Sequence, residues 1–217
     1  MSKLNRRDIL EKVGAASSIG LVGTLAVGQV EGKSEVNLSK KEKAKINQVL
    51  KIVNREDLSE VSKKEKLERY SDKIIEYALL PHSKTVSRDE RAQANTESGG
   101  DLSVESAPSD NMTTTVTNKN ATGDKLWQLT VTTWWTYTGT DIESVSWDIS
   151  TDTWNSWSTD STNVTDSTTE DSDGGVGSWR VNGTGTFKSF IGTHQSCTIT
   201  HVMYDYGGSD RYSCADP

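Results

Sequence analysis

Residues 127–137, Trp127-Gln128-Leu129-Thr130-Val131-Thr132-Thr133-Trp134-Trp135-Thr136-Tyr137, decide the fold. Trp127, Leu129, Val131, Thr133, Trp135 and Tyr137 fall on one face, and Gln128, Thr130, Thr132 and Thr136 on the other. A period of two is that of a strand with one face buried, and Thr with aromatic residues suits such a strand. Trp134 breaks the phase and should face away from the core.

Outward from this stretch the same alternation returns. Val145, Trp147 and Ile149 carry it, then Trp179, Val181 and Phe187, with Gly183 and Gly185 marking a bend or bulge. Cys197, Ile199, His201 and Met203 form one face of a last long strand. Turn signals stand at residues 138–141, 173–175 and 207–210. The expectation is a mainly β chain: a small antiparallel β-sandwich of six to eight strands, preceded by a short helical hairpin and an N-terminal signal. Cys197 and Cys214 flank the final hairpin, and in an exported domain such a pair reads as a disulfide. A two-residue turn at Gly207-Gly208 would set Cys214 opposite His201, so the bridge would need a bulge or a neighbouring strand.

Composition divides the chain. It has 217 residues and a net charge of −7, and all seven Trp fall between Trp127 and Trp179. Residues 1–32 carry four basic and three acidic side chains, residues 33–95 fifteen against eleven, and residues 96–217 five against seventeen. The last segment's net of −12 repels nucleic acid and anionic membrane surfaces, so neither is expected as a partner. Acidity with few Lys is also the composition of a protein that holds water and cations at high salt.

Four segments follow: 1–32 a signal, 33–82 a helical hairpin serving as pro-region or spacer, 83–111 a disordered linker, and 112–217 the all-β domain. The signal opens Asn5-Arg6-Arg7-Asp8-Ile9-Leu10-Glu11-Lys12, and a soft run rich in Gly, Ala and Ser follows to Val30. Arg6 and Arg7 with Ile9-Leu10 resemble a twin-arginine export signal, with Asn5 in place of the usual Ser or Thr and Glu11 before the Lys. The run is too short and polar to span a bilayer comfortably, so no stable membrane insertion is expected. Cleavage falls after Gly28 or Gly32, and the twin-arginine translocase is the implied partner during export.

Between residues 38 and 80 the period becomes helical. Ser39-Lys40-Lys41-Glu42 and Ser62-Lys63-Lys64-Glu65 each read as a capping box. Ile46, Val49, Leu50 and Val53 mark one apolar face, and Leu67, Tyr70, Ile74, Tyr77 and Ala78 a second. Pro81 ends the unit. Residues 83–111 show no sustained period, and Arg88 and Arg91 offer a proteolytic site.

Chemistry is sparse. His194 and His201 lie around Cys197, but a bridged Cys leaves no ligand set, so no metal and no cofactor are expected. Asp160, Asp166, Glu170, Asp171 and Asp173 read as an acidic loop without calcium-loop spacing. No G-x-S-x-G or distinct triad is present, and no catalytic residue is assigned. The candidate binding residues are Trp134, Trp154 and Trp157, because exposed Trp stacks on sugar rings and anchors protein interfaces. Trp127, Trp135, Trp147 and Trp179 are assigned to the core. N-x-[ST] sequons occur at Asn111, Asn120, Asn163 and Asn182.

The stretch LWQLTVTTWWTYTGTDIESVSWDISTDTWNSW, with GTGTFKSF and ITHVMYDYGGSDRY later, resembles a class of small exported β proteins of actinobacteria and halophilic archaea. The resemblance covers about residues 126–212 and implies fold and export, but no site. The functional expectation is a secreted or cell-surface β domain acting as a non-catalytic binding or structural module, its partner a surface glycan or protein. The alternatives are a bacteriocin- or halocin-like antimicrobial precursor released by cleavage in the linker, and a small secreted hydrolase.

Overall fold

The computed structural model describes residues 36–93 and 108–214. The expected signal with Arg6 and Arg7, and the centre of the expected linker, lie outside the described residues. What is described is mainly β: two four-stranded antiparallel sheets preceded by three short helices.

The helices are α1 (Lys40–Val53), α2 (Glu60–Leu67) and α3 (Asp72–Leu79). The first capping box forms as read: Ser39 Oγ accepts from the Glu42 amide at 3.2 Å, and the Ser39 amide donates to Glu42 Oε2 at 2.9 Å. The second does not. Ser59 takes the cap position, its hydroxyl accepting from the Ser62 amide at 3.2 Å, so Ser62 and Glu65 sit inside α2. The second predicted helix also breaks in two, because extended backbone at Ser71 restarts the chain as α3. The expected hairpin is therefore three helices, with Ile46, Val49, Leu50, Val53, Leu67, Ile74, Ala78 and Leu79 sharing one core.

The first sheet runs β1 (Ser83–Gln93), β2 (Ser109–Lys119), β3 (Lys125–Tyr137), β4 (Ile142–Thr153) in that spatial order. The second runs β5 (Trp157–Glu170), β6 (Val176–Ser189), β7 (His194–Tyr204), β8 (Ser209–Ser213). Each sheet is a meander in which sequence neighbours pair. Strand β1 corrects the linker: residues 83–93 pair along β2 from Ser83↔Lys119 to Gln93↔Ser109. Only Val86 of its first six residues is apolar, so no alternation announces it. The β region thus begins at Ser83 rather than at residue 112.

The sheets face each other. Lys84 of β1 donates to the Cys214 carbonyl beyond β8, His201 of β7 bonds Thr133 of β3 and Thr114 of β2, and β4 meets β6 where Ile149 lies against Gly183. At Gly183 a side chain would collide with Val131, so the bare backbone sets the close approach of the layers.

Two apolar clusters fill the interior. One gathers Val116, Leu126, Trp127, Leu129, Val131, Trp157, Phe187, Cys197 and Ile199, with Trp127 stacked on Phe187 at 4.2 Å. The other holds Met112, Trp135, Ile142, Val181 and Met203. Between them lies a polar layer: the buried His201 ring, with Thr133 Oγ1 3.0 Å from Nδ1 and Thr114 Oγ1 2.9 Å from Nε2. His201, on the strand face shared by Cys197, Ile199 and Met203, is fully buried.

Cys197 and Cys214 form the expected disulfide, with a Cα separation of 5.1 Å. Its geometry differs from the two-residue turn. The β7–β8 register sets His201 opposite Arg211, and the Cys214 amide donates to the Thr198 carbonyl at 2.8 Å. The wider loop at 205–208 brings Cys214 beside Cys197, so no bulge is needed.

Candidate functional site

The helices close one end of the sandwich, and that closure settles two of the predicted tryptophans. Residues 154–157 turn the chain from the first sheet to the second through Asn155 and Ser156, both with positive φ. Their side chains hold the turn in place: Asn155 donates to the Lys125 carbonyl at 2.7 Å, and Ser156 to the Val53 carbonyl at 2.8 Å. Trp157 then enters the core, 5 % exposed, with its indole N–H donating to the Leu79 carbonyl at 2.9 Å. This corrects its assignment as a binding residue, since a buried, satisfied Trp joins helix to sheet. Trp154 is half-buried, with Lys125 Nζ 4.9 Å from its ring centre. Asn120 is also taken here: it is buried and donates to the Ala78 carbonyl at 3.1 Å, which removes one sequon from reach.

Trp134 stands where the phase placed it, on the outer face of the first sheet and 42 % exposed. Its cross-strand row is Asn111–Trp134–Ser146. The same face carries hydroxyl pairs across β2 and β3, Thr113 with Thr132 and Thr115 with Thr130, each at 3.0 Å. The three candidate tryptophans therefore do not converge. One core assignment also changes. Trp147 points inward opposite Thr133, yet it is 38 % exposed because β4 is an edge strand. Trp179 stays with the core, half-buried against the cluster of Trp135, Val181 and Met203, with its N–H donating to Asp166 at 3.1 Å. The expected acidic loop is mostly strand: Asp160, Asp166 and Glu170 lie along β5.

The far end of the sandwich is built from turns rather than helices. The Gly139 amide donates to the Asp205 carbonyl at 3.0 Å, the Asp205 amide to Gly177 at 3.2 Å, and the Val176 amide to Asp141 Oδ1 at 2.7 Å. Three turns are thereby tied into one surface. Gly207 adopts φ 84°, and a side chain there would strike the Tyr137 ring. A side chain on Gly208 would strike Tyr206, so a ring lies against the backbone at each glycine.

A tyrosine cluster results. Tyr206 is 66 % exposed and Tyr212 44 %, the most exposed aromatic side chains among the described residues. Tyr204 stacks parallel on Tyr206, with centroids 5.3 Å apart, and donates its hydroxyl to Asp210 Oδ2 at 2.8 Å. That bond, reinforced by burial and by the Asp210 charge, pushes the Tyr204 phenol up to about 12; Tyr206 and Tyr212 lie near enough to contribute. Arg180, Val202 and Asp210 form one cross-strand row, in which Val202 is buried while Arg180 and Asp210 are exposed. The sequence signal was Tyr204-Asp205-Tyr206-Gly207-Gly208, rings beside a turn, but only the turn was read from it.

Elsewhere a shallow polar depression lies between α1 and the β2–β3 turn, lined by Val36, Lys43, Asn47, Ala121, Thr122 and Asp124. No group of three or more His, Cys, Asp or Glu able to hold a metal ion occurs among the described residues. No helix among them is long and apolar enough to cross a membrane.

The fold and its exposed rings define a class: a helix-capped sandwich of two four-stranded meanders with aromatic side chains on its outer surfaces. Compared with protein-family models, curated proteins and solved structures, the chain matches none.

Proposed function

We propose that the chain is an exported, non-catalytic binding or structural module of the cell exterior. One observation carries the reading: Trp134, Tyr206 and Tyr212 stand exposed on outer surfaces of a sandwich whose core is filled without them. Large rings held in water without a packing role favour a contact surface. The twin-arginine-like Arg6-Arg7 signal and the disulfide agree with an oxidising exterior.

The precursor reading is less favoured. Trp157 bonds the helical unit, and β1 belongs to the first sheet, so cutting within 83–93 would remove a strand from the domain to be released. The hydrolase reading finds no support in His201, which is buried between two threonines.

The test is cosedimentation of the purified chain with envelopes isolated from the producing cells. The wild type should sediment with them, and Trp134→Ala/Tyr206→Ala/Tyr212→Ala should lose at least about tenfold in affinity, about 1.4 kcal/mol. Equal sedimentation of the triple variant, or none by the wild type, refutes the reading.

A further inference from the structure

The tyrosine end differs from the other exposed surfaces in being assembled. Trp134 stands alone on a hydroxyl-lined face and Trp147 at a sheet edge, whereas Tyr204 bonds Asp210, Tyr206 stacks on Tyr204, and Tyr212 shares the Asp210 face of β8. The stack of Tyr204 on Tyr206 fixes ring orientation, and Gly208 lets Tyr206 lie against backbone. A fixed ring costs little conformational entropy when a ligand settles on it.

We propose that Tyr206, Tyr212, Asp210 and Arg180 form a binding site for a neutral polysaccharide, with pyranose rings stacking on the tyrosines. This rests on the module reading above and names its ligand. Aromatic faces carry negative quadrupole charge, which attracts the C–H groups on the flat face of a sugar ring. Such a ligand also needs an acceptor and a donor at the rim. Asp210 gives one oxygen to Tyr204 and, being exposed, keeps acceptor capacity toward solvent. Arg180, on the same row beyond the buried Val202, supplies fixed donors.

Charge decides against the other occupants. A cationic ligand would favour rings and a carboxylate alone, and the Arg180 guanidinium on the same row opposes it. An anionic polymer meets the −12 of residues 96–217. A neutral, hydroxyl-rich polymer uses both the acceptor and the donor and meets neither repulsion.

The experiment is affinity electrophoresis of the full chain in gels containing hydroxyethylcellulose, galactomannan or dextran, with carboxymethylcellulose as the charged counterpart. At least one neutral polymer should retard the wild type, and the charged one should retard it less. Tyr206→Ala and Tyr212→Ala should each weaken retardation at least fivefold, whereas Val61→Ala, at an exposed position of α2, leaves it unchanged and Tyr206→Trp, which keeps a stacking face, preserves it. Unchanged retardation in Tyr206→Ala and Tyr212→Ala, or an equally large loss in Val61→Ala, overturns the site. Envelope binding without retardation by any neutral polymer overturns the ligand class and leaves the module reading standing. Absence of both removes the two together.

Discussion

The two ends of the sandwich use aromatic side chains in opposite ways. At the helical end Trp157 is drawn inside, its N–H bonded to the Leu79 carbonyl and its ring packed with Trp127 and Phe187 in one cluster. At the turn end Tyr204 and Tyr206 stack on each other above a glycine turn and leave the core to Met112, Trp135 and Met203. Both rings sit beside turns in the sequence. What separates their fates is coverage: three helices lie over one end, and only turns lie over the other. A ring beside a turn becomes glue or a contact surface according to what the rest of the chain lays on it.

The contrast breaks if substitution at the two ends has similar consequences. The largest effect is expected for Trp157→Ala, which empties a core position and strips the Leu79 carbonyl of its donor. It should cost about 3–5 kcal/mol, read as a fall in the urea midpoint. A loss under about 1 kcal/mol would mean that the helices do not depend on this anchor.

Next comes the polar layer between the ends. Burial, and then the Arg211 charge, push the His201 imidazole down to about 4, against an ordinary value of 6.5. The unfolded chain therefore takes up the proton first as pH falls. The stability contributed by keeping His201 neutral is intact above about pH 6.5, declines between 6.5 and 4, and levels off below 4, amounting to about 3 kcal/mol across the window. Imidazole resonances followed by NMR should titrate near 4. A midpoint near 6.5 would show that the layer opens to water.

The smallest effect sharpens the contrast from the other side. Tyr206→Ala removes an exposed ring and should move stability by less than about 0.5 kcal/mol. A larger thermal shift would make the tyrosine stack a structural element, no different in kind from Trp157.

Legibility in the sequence followed what lies close along the chain. The alternation of 127–137 gave β3 its burial pattern and put Trp134 outside, because a strand's two faces are written in every second residue. The Ser39 box gave the start of α1 for the same reason. Strand β1 was illegible because its partner β2 supplies the pairing and its own side chains are polar. Trp157 was misplaced because its cover arrives from residues 72–79, far upstream. The tyrosine cluster needed the β7–β8 register, and a two-residue turn set that register wrongly.

The meander topology also bears on how the chain acquires its shape. Every strand pairs with a sequence neighbour, and the first sheet is complete before the second begins. Local pairing keeps loop closures short, which favours rapid folding for an all-β chain. Synthesis from the N-terminus yields the first sheet while the second is still being made, leaving the faces of Leu129, Val131 and Trp135 briefly wet and prone to stick to other chains. The Leu79 carbonyl of the helical unit, made earlier still, waits for a donor that the ribosome supplies only at Trp157. The half-made molecule is thus the vulnerable one, and closure of the second sheet over the first is the step that ends its exposure.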